Sequence, residues 1–173
     1  YHYLVKKVVF NVEVLPVIKL VSCLLVHAIF VMIMIAMFFC YGRLPLITWL
    51  QLAYYSAALS VLILALTLVT SAVQVFFRDM SQIVRICLQF GMWLVPIMWA
   101  PEMFPNFPEK LMPILKLNPI HYIVSGYRDS MIAGNWFFER PMQSLYFWAV
   151  TLVLLALGLR LFRKLRPHFS DVL

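Results

Sequence analysis

The sequence predicts an all-α protein built to sit in a membrane, and three observations carry that expectation. Hydrophobic residues make up 64% of the chain and charged residues 12%, well under the roughly 25% charged content of soluble domains. The apolar residues fall in runs long enough to cross a bilayer, which takes about 20 residues of helix. The basic residues gather at the ends of those runs, where they anchor spans to headgroups. The net charge of +7 is therefore an anchoring pattern, and it predicts no nucleic-acid partner.

The elements follow in order. Over residues 1–15, Leu4, Val8, Val12 and Leu15 form a helical stripe with Lys6, Lys7 and Glu13 off it, as in an amphipathic helix. Such a helix lies on membrane lipid or docks into a soluble partner, and the physics alone favours lipid. Spans are expected at 17–40, 46–73, 83–100 and 142–161, with a tail over 162–173. The first stops at Tyr41-Gly42-Arg43; the second carries no charge and ends before FFRDM. The third carries Arg85 near its start, where a long side chain reaches the headgroups, and Gly91 and Pro96 weaken or kink it. The fourth runs into RLFRKLRPH.

Counting Lys and Arg on each side orients the chain. With Lys6 and Lys7 cytoplasmic, Lys19, Arg78, Arg85, Arg160, Arg163, Lys164 and Arg166 share their side, and Arg43, Lys110, Lys116, Arg128 and Arg140 lie outside. Four spans put both ends of the sequence in the cytoplasm. Tyr1 stands where a start Met is usual, so a piece of a longer chain is the expectation.

The stretch 101–135 is unlike the other links. Pro101, Pro105, Pro108 and Pro113 forbid one continuous helix. Asn118 then offers an N-cap with Pro119 at the first helical position, and Gly134 offers a stop. The helix between is about 15 residues, roughly 22 Å, short of a ~30 Å hydrocarbon core. With KLMPILKL as the descending arm, the region reads as an external re-entrant hairpin marked by Pro113, Asn118, Pro119, Gly126, Asp129 and Gly134. Broken backbone at membrane depth is tolerated only against protein or a wet cavity. The alternative is a helix pair lying flat at the interface.

No nucleophile–base set, paired intramembrane carboxylates or phosphate-binding loop appears in the sequence. Cys23, Cys40 and Cys87 read as small buried hydrophobes rather than a disulfide framework, and the four histidines lack zinc-ligand spacing. Most aromatics fit an interfacial belt, but Tyr54, Tyr55, Trp93 and Tyr122 are candidates for stacking on sugar rings along a path. Arg128 is the candidate cation there. Arg128 and Asp129 point about 100° apart on a helix, so each needs a partner elsewhere. An ion channel or secondary transporter is disfavoured by the lack of a mid-depth carboxylate.

Together, KKVVFNVEVLPV, FFRDM, LNPIHYIVSGYRDSMIAGNWFFERP, LYFW and the ending LFRKLRPHFSDVL resemble the ABC-2 permeases that export polysaccharides and polyol phosphates, most closely those translocating teichoic acid in Gram-positive bacteria. The resemblance covers nearly the whole chain. It implies the ABC-2 transporter fold, with an interface helix and six spans, a re-entrant pair before the last, and the interface helix and first two spans lying outside this sequence. It implies that Lys6, Lys7, Phe10, Asn11 and Glu13 belong to a coupling helix docked in a separate ATPase subunit, reversing the preference for lipid. ATP and magnesium would belong to that ATPase, with no cofactor on this chain and no catalysis by it. A second permease copy would complete the pathway in the cytoplasmic membrane of a bacterium, and the cargo would be lipid-linked wall teichoic acid. An O-antigen or capsular polysaccharide exporter is the alternative, and a non-transporting membrane assembly protein the rival of another class.

Overall fold

The computed structural model describes residues 14–77, 79–97, 99, 103, 108 and 110–165. The expected coupling residues Lys6, Lys7, Phe10, Asn11 and Glu13, and the tail beyond 165, lie outside these. Among the described residues every regular element is helical: α1 Val14–Cys40, a 3-10 turn Ile47–Leu50 opening α2 Gln51–Gln74, α3 Met80–Leu94, α4 Leu111–Lys116, α5 Pro119–Arg128, and α6 Pro141–Leu165. A single π turn, Asp129–Ala133, continues α5, and a 3-10 turn, Phe137–Glu139, precedes α6.

Among the described residues, three stretches are long and apolar enough to cross a membrane: Pro16–Cys40, Ile47–Gln74 and Pro141–Leu165. They coincide with three of the four expected spans, the last continuing to Leu165 into what the sequence reads as tail. In the other expected span, 83–100, the helix has different bounds. Its helix begins at Met80 and stops at Leu94 after 15 residues, about 22 Å. Pro96 does not kink it; Val95, the residue before the proline, is already extended at φ −79 and ψ 130, because a following proline disfavours helical backbone.

The direction of α3 follows from its ends. It leaves the far end of α2 through Phe76 and Phe77, and the carbonyls of Ile97 and Trp99 beyond its C-terminus accept hydrogen bonds from Arg128, which sits beside the start of α2. The chain therefore returns along the length of α2, and α6 can lie parallel to α2. Tyr54 meets Trp148 near one end, Leu68 meets Gly158 further down, and Ala72 clusters with Phe162 beyond that.

The α2–α6 seam explains itself residue by residue. Leu52, Tyr55, Ala58, Leu62, Ala65, Leu68 and Ala72 are the buried apolar residues of α2, three or four apart, so they form one stripe. Ala58, Ala65 and Ala72 let the backbones approach, and Gly158 completes the fit: a Cβ there would stand 3.0 Å from Leu68 Cβ and 3.2 Å from the Ala65 carbonyl. In lipid, where apolar burial drives little association, this close van der Waals packing holds spans together.

α1 is built differently. None of its most apolar window is buried. Gly42, at φ 70, takes the left-handed conformation that ends the helix, with the Arg43 N–H reaching back to the Phe38 carbonyl at 3.0 Å, a common helix stop. Beyond the turn, Trp49 packs edge-on against Phe38 and Phe39. Cys23, Cys40 and Cys87 are exposed, not buried as expected, because α1 and α3 turn those faces away from the body.

Candidate functional site

The polar chemistry of the described residues concentrates in a cap formed by α4, α5, the π turn and the link to Arg140, seated on the first turns of α2 and α6. The expected local signals operate here. Asn118 Oδ1 accepts the Ile120 N–H at 3.0 Å with Pro119 opening α5, and Gly134 at φ 75 ends the π turn, its N–H bonded to the Asp129 carbonyl at 2.7 Å. Pro113 lies in α4, exposed, and α4 and α5 meet at Leu117, whose carbonyl accepts from Tyr146 Oη at 2.8 Å.

Side chains of α2 and of the 3-10 turn that opens it hold the cap's backbone. Thr48 Oγ1 donates to the Ser130 carbonyl at 2.7 Å. Gln51, 3% exposed, donates through Nε2 to the Asn135 carbonyl at 3.0 Å and accepts the Phe137 N–H on Oε1 at 2.7 Å. One amide thus pairs two backbone groups that apolar surroundings would leave costly. Gly126 lies against the face of Tyr55, where any Cβ would overlap the ring.

The candidate path residues are brought together only in part. Tyr55 and Tyr122 are buried core residues, with Tyr122 stacked on Phe147 at 4.9 Å. Tyr54 stacks on Phe137 at 4.7 Å and accepts from Trp148 Nε1 at 2.8 Å. In this chain these three rings pack on protein. Trp93 stands apart, exposed on α3. Arg128 and Asp129 do turn to separate partners: Arg128 Nη2 donates to the Ile97 and Trp99 carbonyls at 3.0 and 3.1 Å, and Asp129 pairs with Arg140 at 3.0 Å. Burial raises the Asp129 pKa, with Arg140 acting against it. Burial also lowers that of His121, and Lys116, Arg140 and Arg128 push the same way.

One cluster escapes a reading by motif. His27, 13 residues before Cys40 (40 − 27) in α1 and so about 20 Å from that end, meets Tyr127 Oη of α5 through Nε2 at 2.9 Å. Tyr127 Oη also meets Ser56 Oγ of α2 at 2.7 Å. This triad ties three elements at one point. Its signal in the sequence is a histidine within an apolar run, facing a serine and a tyrosine that only the fold brings near.

The cap's neighbouring cavity, about 660 Å³, is lined by residues from α4, α5 and the start of α6, including Lys116, His121, Arg128 and Arg140. Among the described residues, no group of His, Cys, Asp or Glu is arranged to hold a metal.

No protein-family model matches the chain. Among curated proteins it is similar to an O-antigen export system permease protein RfbA of Klebsiella pneumoniae, 25% identical over 171 residues, covering 98% of this chain and 64% of that protein. A second K. pneumoniae protein of the same name is 26% identical over the same lengths. The Myxococcus xanthus O-antigen export system permease protein RfbA is 26% identical over 170 residues, 97% of this chain and 64% of the relative. The chain thus spans just under two thirds of the length of these relatives.

Proposed function

We propose that this chain is part of the membrane-embedded permease of an ABC exporter for a cell-surface polysaccharide. The observation that carries the reading is the likeness, almost end to end, to three O-antigen export permeases. The helical architecture is compatible with it: apolar spans, a body made by α2 and α6, and a cap across their first turns. The permease provides a route and no bond-breaking chemistry, so the energy comes from a separate ATPase that binds ATP and magnesium.

In this reading the coupling surface is the segment carrying Lys6, Lys7, Phe10, Asn11 and Glu13, on the cytoplasmic side with the end of α6. The cap is the external re-entrant hairpin, in the cytoplasmic membrane of a bacterium, and a second copy of the permease completes the path for a lipid-linked polymer. The cargo class favoured by the relatives is O-antigen-like. Teichoic acid is the finer alternative, supported by the motif resemblance and by basic residues on the outer side. With Tyr55 and Tyr122 packed in the core and Tyr54 stacked on Phe137, the residues left to face cargo are Arg128 and the exposed Trp93.

Co-purification of the full-length permease with its ATPase tests the reading. The two should isolate together, Lys6→Glu with Lys7→Glu should weaken that association, and deletion of the permease should strip one polysaccharide class from the cell surface. A permease that isolates without an ATPase and whose deletion leaves every surface polymer unchanged is instead an assembly protein.

A further inference from the structure

We infer that the cavity beside the cap holds the phosphate of an anionic, hydroxyl-bearing phospholipid headgroup. The inference depends on the membrane setting of the chain and not on the export reading.

Position comes first. Pro141, Met142 and Gln143, the opening residues of the span α6, line the cavity. The first turn of a span lies where hydrocarbon gives way to headgroups, so the cavity stands at headgroup level. Its volume of about 660 Å³ falls among small-ligand sites, which run from about 300 to 1,000 Å³.

Charge selects an anion. Three cations line the cavity, Lys116 from α4, Arg128 from α5 and Arg140 from the link, against Asp129 and Glu139. Asp129 and Arg140 pair at 3.0 Å and cancel each other, and Glu139 accepts the Trp136 N–H at 2.9 Å, so three cations against two carboxylates leave one positive charge in surplus. Arg128 donates to neutral carbonyls, which leave its charge uncancelled. Lys116 has no carboxylate or carbonyl partner among the described residues. The surplus of positive charge is what draws headgroup phosphates to basic pockets between membrane helices.

Two further features separate a phospholipid from a bare phosphate. Gln143 lines the cavity and carries an Oε1 with no hydrogen-bond partner, which a headgroup hydroxyl would satisfy after a small turn of that side chain. Met142 lines the cavity, and it and Ile114, Leu117 and Leu145, close in sequence to Lys116 and Gln143, are exposed apolar side chains, which acyl chains would cover and a soluble phosphate would not.

The test is native mass spectrometry of the full-length protein drawn from nanodiscs of equal parts phosphatidylglycerol and phosphatidylcholine. Phosphatidylglycerol should be retained in preference. Lys116→Gln should weaken that retention about five-fold, the effect of one basic group near a headgroup, Lys116→Arg should restore it, and Gln143→Leu should lose a smaller part. Unchanged melting temperatures show that the variants fold. Equal retention of both lipids, or wild-type retention by Lys116→Gln, overturns the proposal. Adding inorganic phosphate should leave the lipid in place, and displacement by it would reassign the cavity to soluble phosphate.

Discussion

The spans α1 and α6 are both apolar stretches of 25 residues, yet they join α2 in opposite ways. α6 buries Phe147, Thr151, Gly158 and Phe162 down its length, against a stripe of alanines that lets the helices close on each other. α1 buries none of its most apolar window and touches the body through rings around Trp49 and through the His27–Tyr127–Ser56 triad. The difference separates a body from an arm. α2, α6 and the cap form one unit fixed by shape, and α1 is held to it by a few polar and aromatic contacts that can be exchanged without dismantling a core.

The comparison predicts a graded response to mutation. The largest effect belongs to the body: Gly126→Val drives a branched side chain into the Tyr55 ring and should cost about 3 kcal/mol, read as a fall in melting temperature of the purified protein. Gln51→Leu comes next. It leaves the Asn135 carbonyl and the Phe137 N–H without their partner and should cost roughly 2 kcal/mol, with faster hydrogen exchange at Phe137.

The arm should respond less in stability and more in position. Tyr127→Phe removes the hydrogen bonds of Tyr127 Oη to His27 and Ser56, and His27→Ala the first of these, each worth about 0.6 kcal/mol inside a membrane, so melting should move little. Distance measurements between spin labels on α1 and α6 should broaden. A sharp loss of stability in either variant would make α1 part of the body after all.

The smallest effect is pH dependence. His121 has a lowered pKa because burial, then Lys116, Arg140 and Arg128, disfavour its charged form. A depressed histidine binds protons more readily in the unfolded chain, so its contribution to stability is full at neutral pH and is lost as pH falls below the ordinary value of about 6.5. His121→Gln should flatten that fall in melting temperature between neutral and mildly acid solution.

The parts of this structure that were readable from sequence are those governed by local chemistry. Three spans follow from uninterrupted apolar runs, and the start of α5 at Asn118-Pro119 and its stop at Gly134 follow from capping and left-handed backbone. The shortened α3 was half visible, since Pro96 predicts a disturbance but not whether the helix kinks or ends. The cap's fastening was not readable. Thr48 and Gln51 look like stray polar residues in an apolar run until Ser130, Asn135 and Phe137, more than 80 positions away in sequence, are brought beside them. The same holds for Tyr55 and Tyr122, whose ring chemistry suits a sugar path as well as a core; only the packing against Gly126 and Phe147 decides which role they take within this chain.

On the proposed export function, the cap seated on α2 is the part expected to move as an outer gate during transport. The direct measurement is to lock it. Cysteines replacing Thr48 and Ser130, on elements fastened by the Thr48 hydroxyl to the Ser130 backbone carbonyl, are introduced into the full-length permease with Cys23, Cys40 and Cys87 changed to serine, and surface polysaccharide is quantified before and after joining the two thiols with a short, reducible bis-methanethiosulfonate cross-linker. The account predicts that the cross-link stops export while the ATPase still co-purifies, and that reduction restores export. Undiminished export with the cross-link fully formed would contradict it.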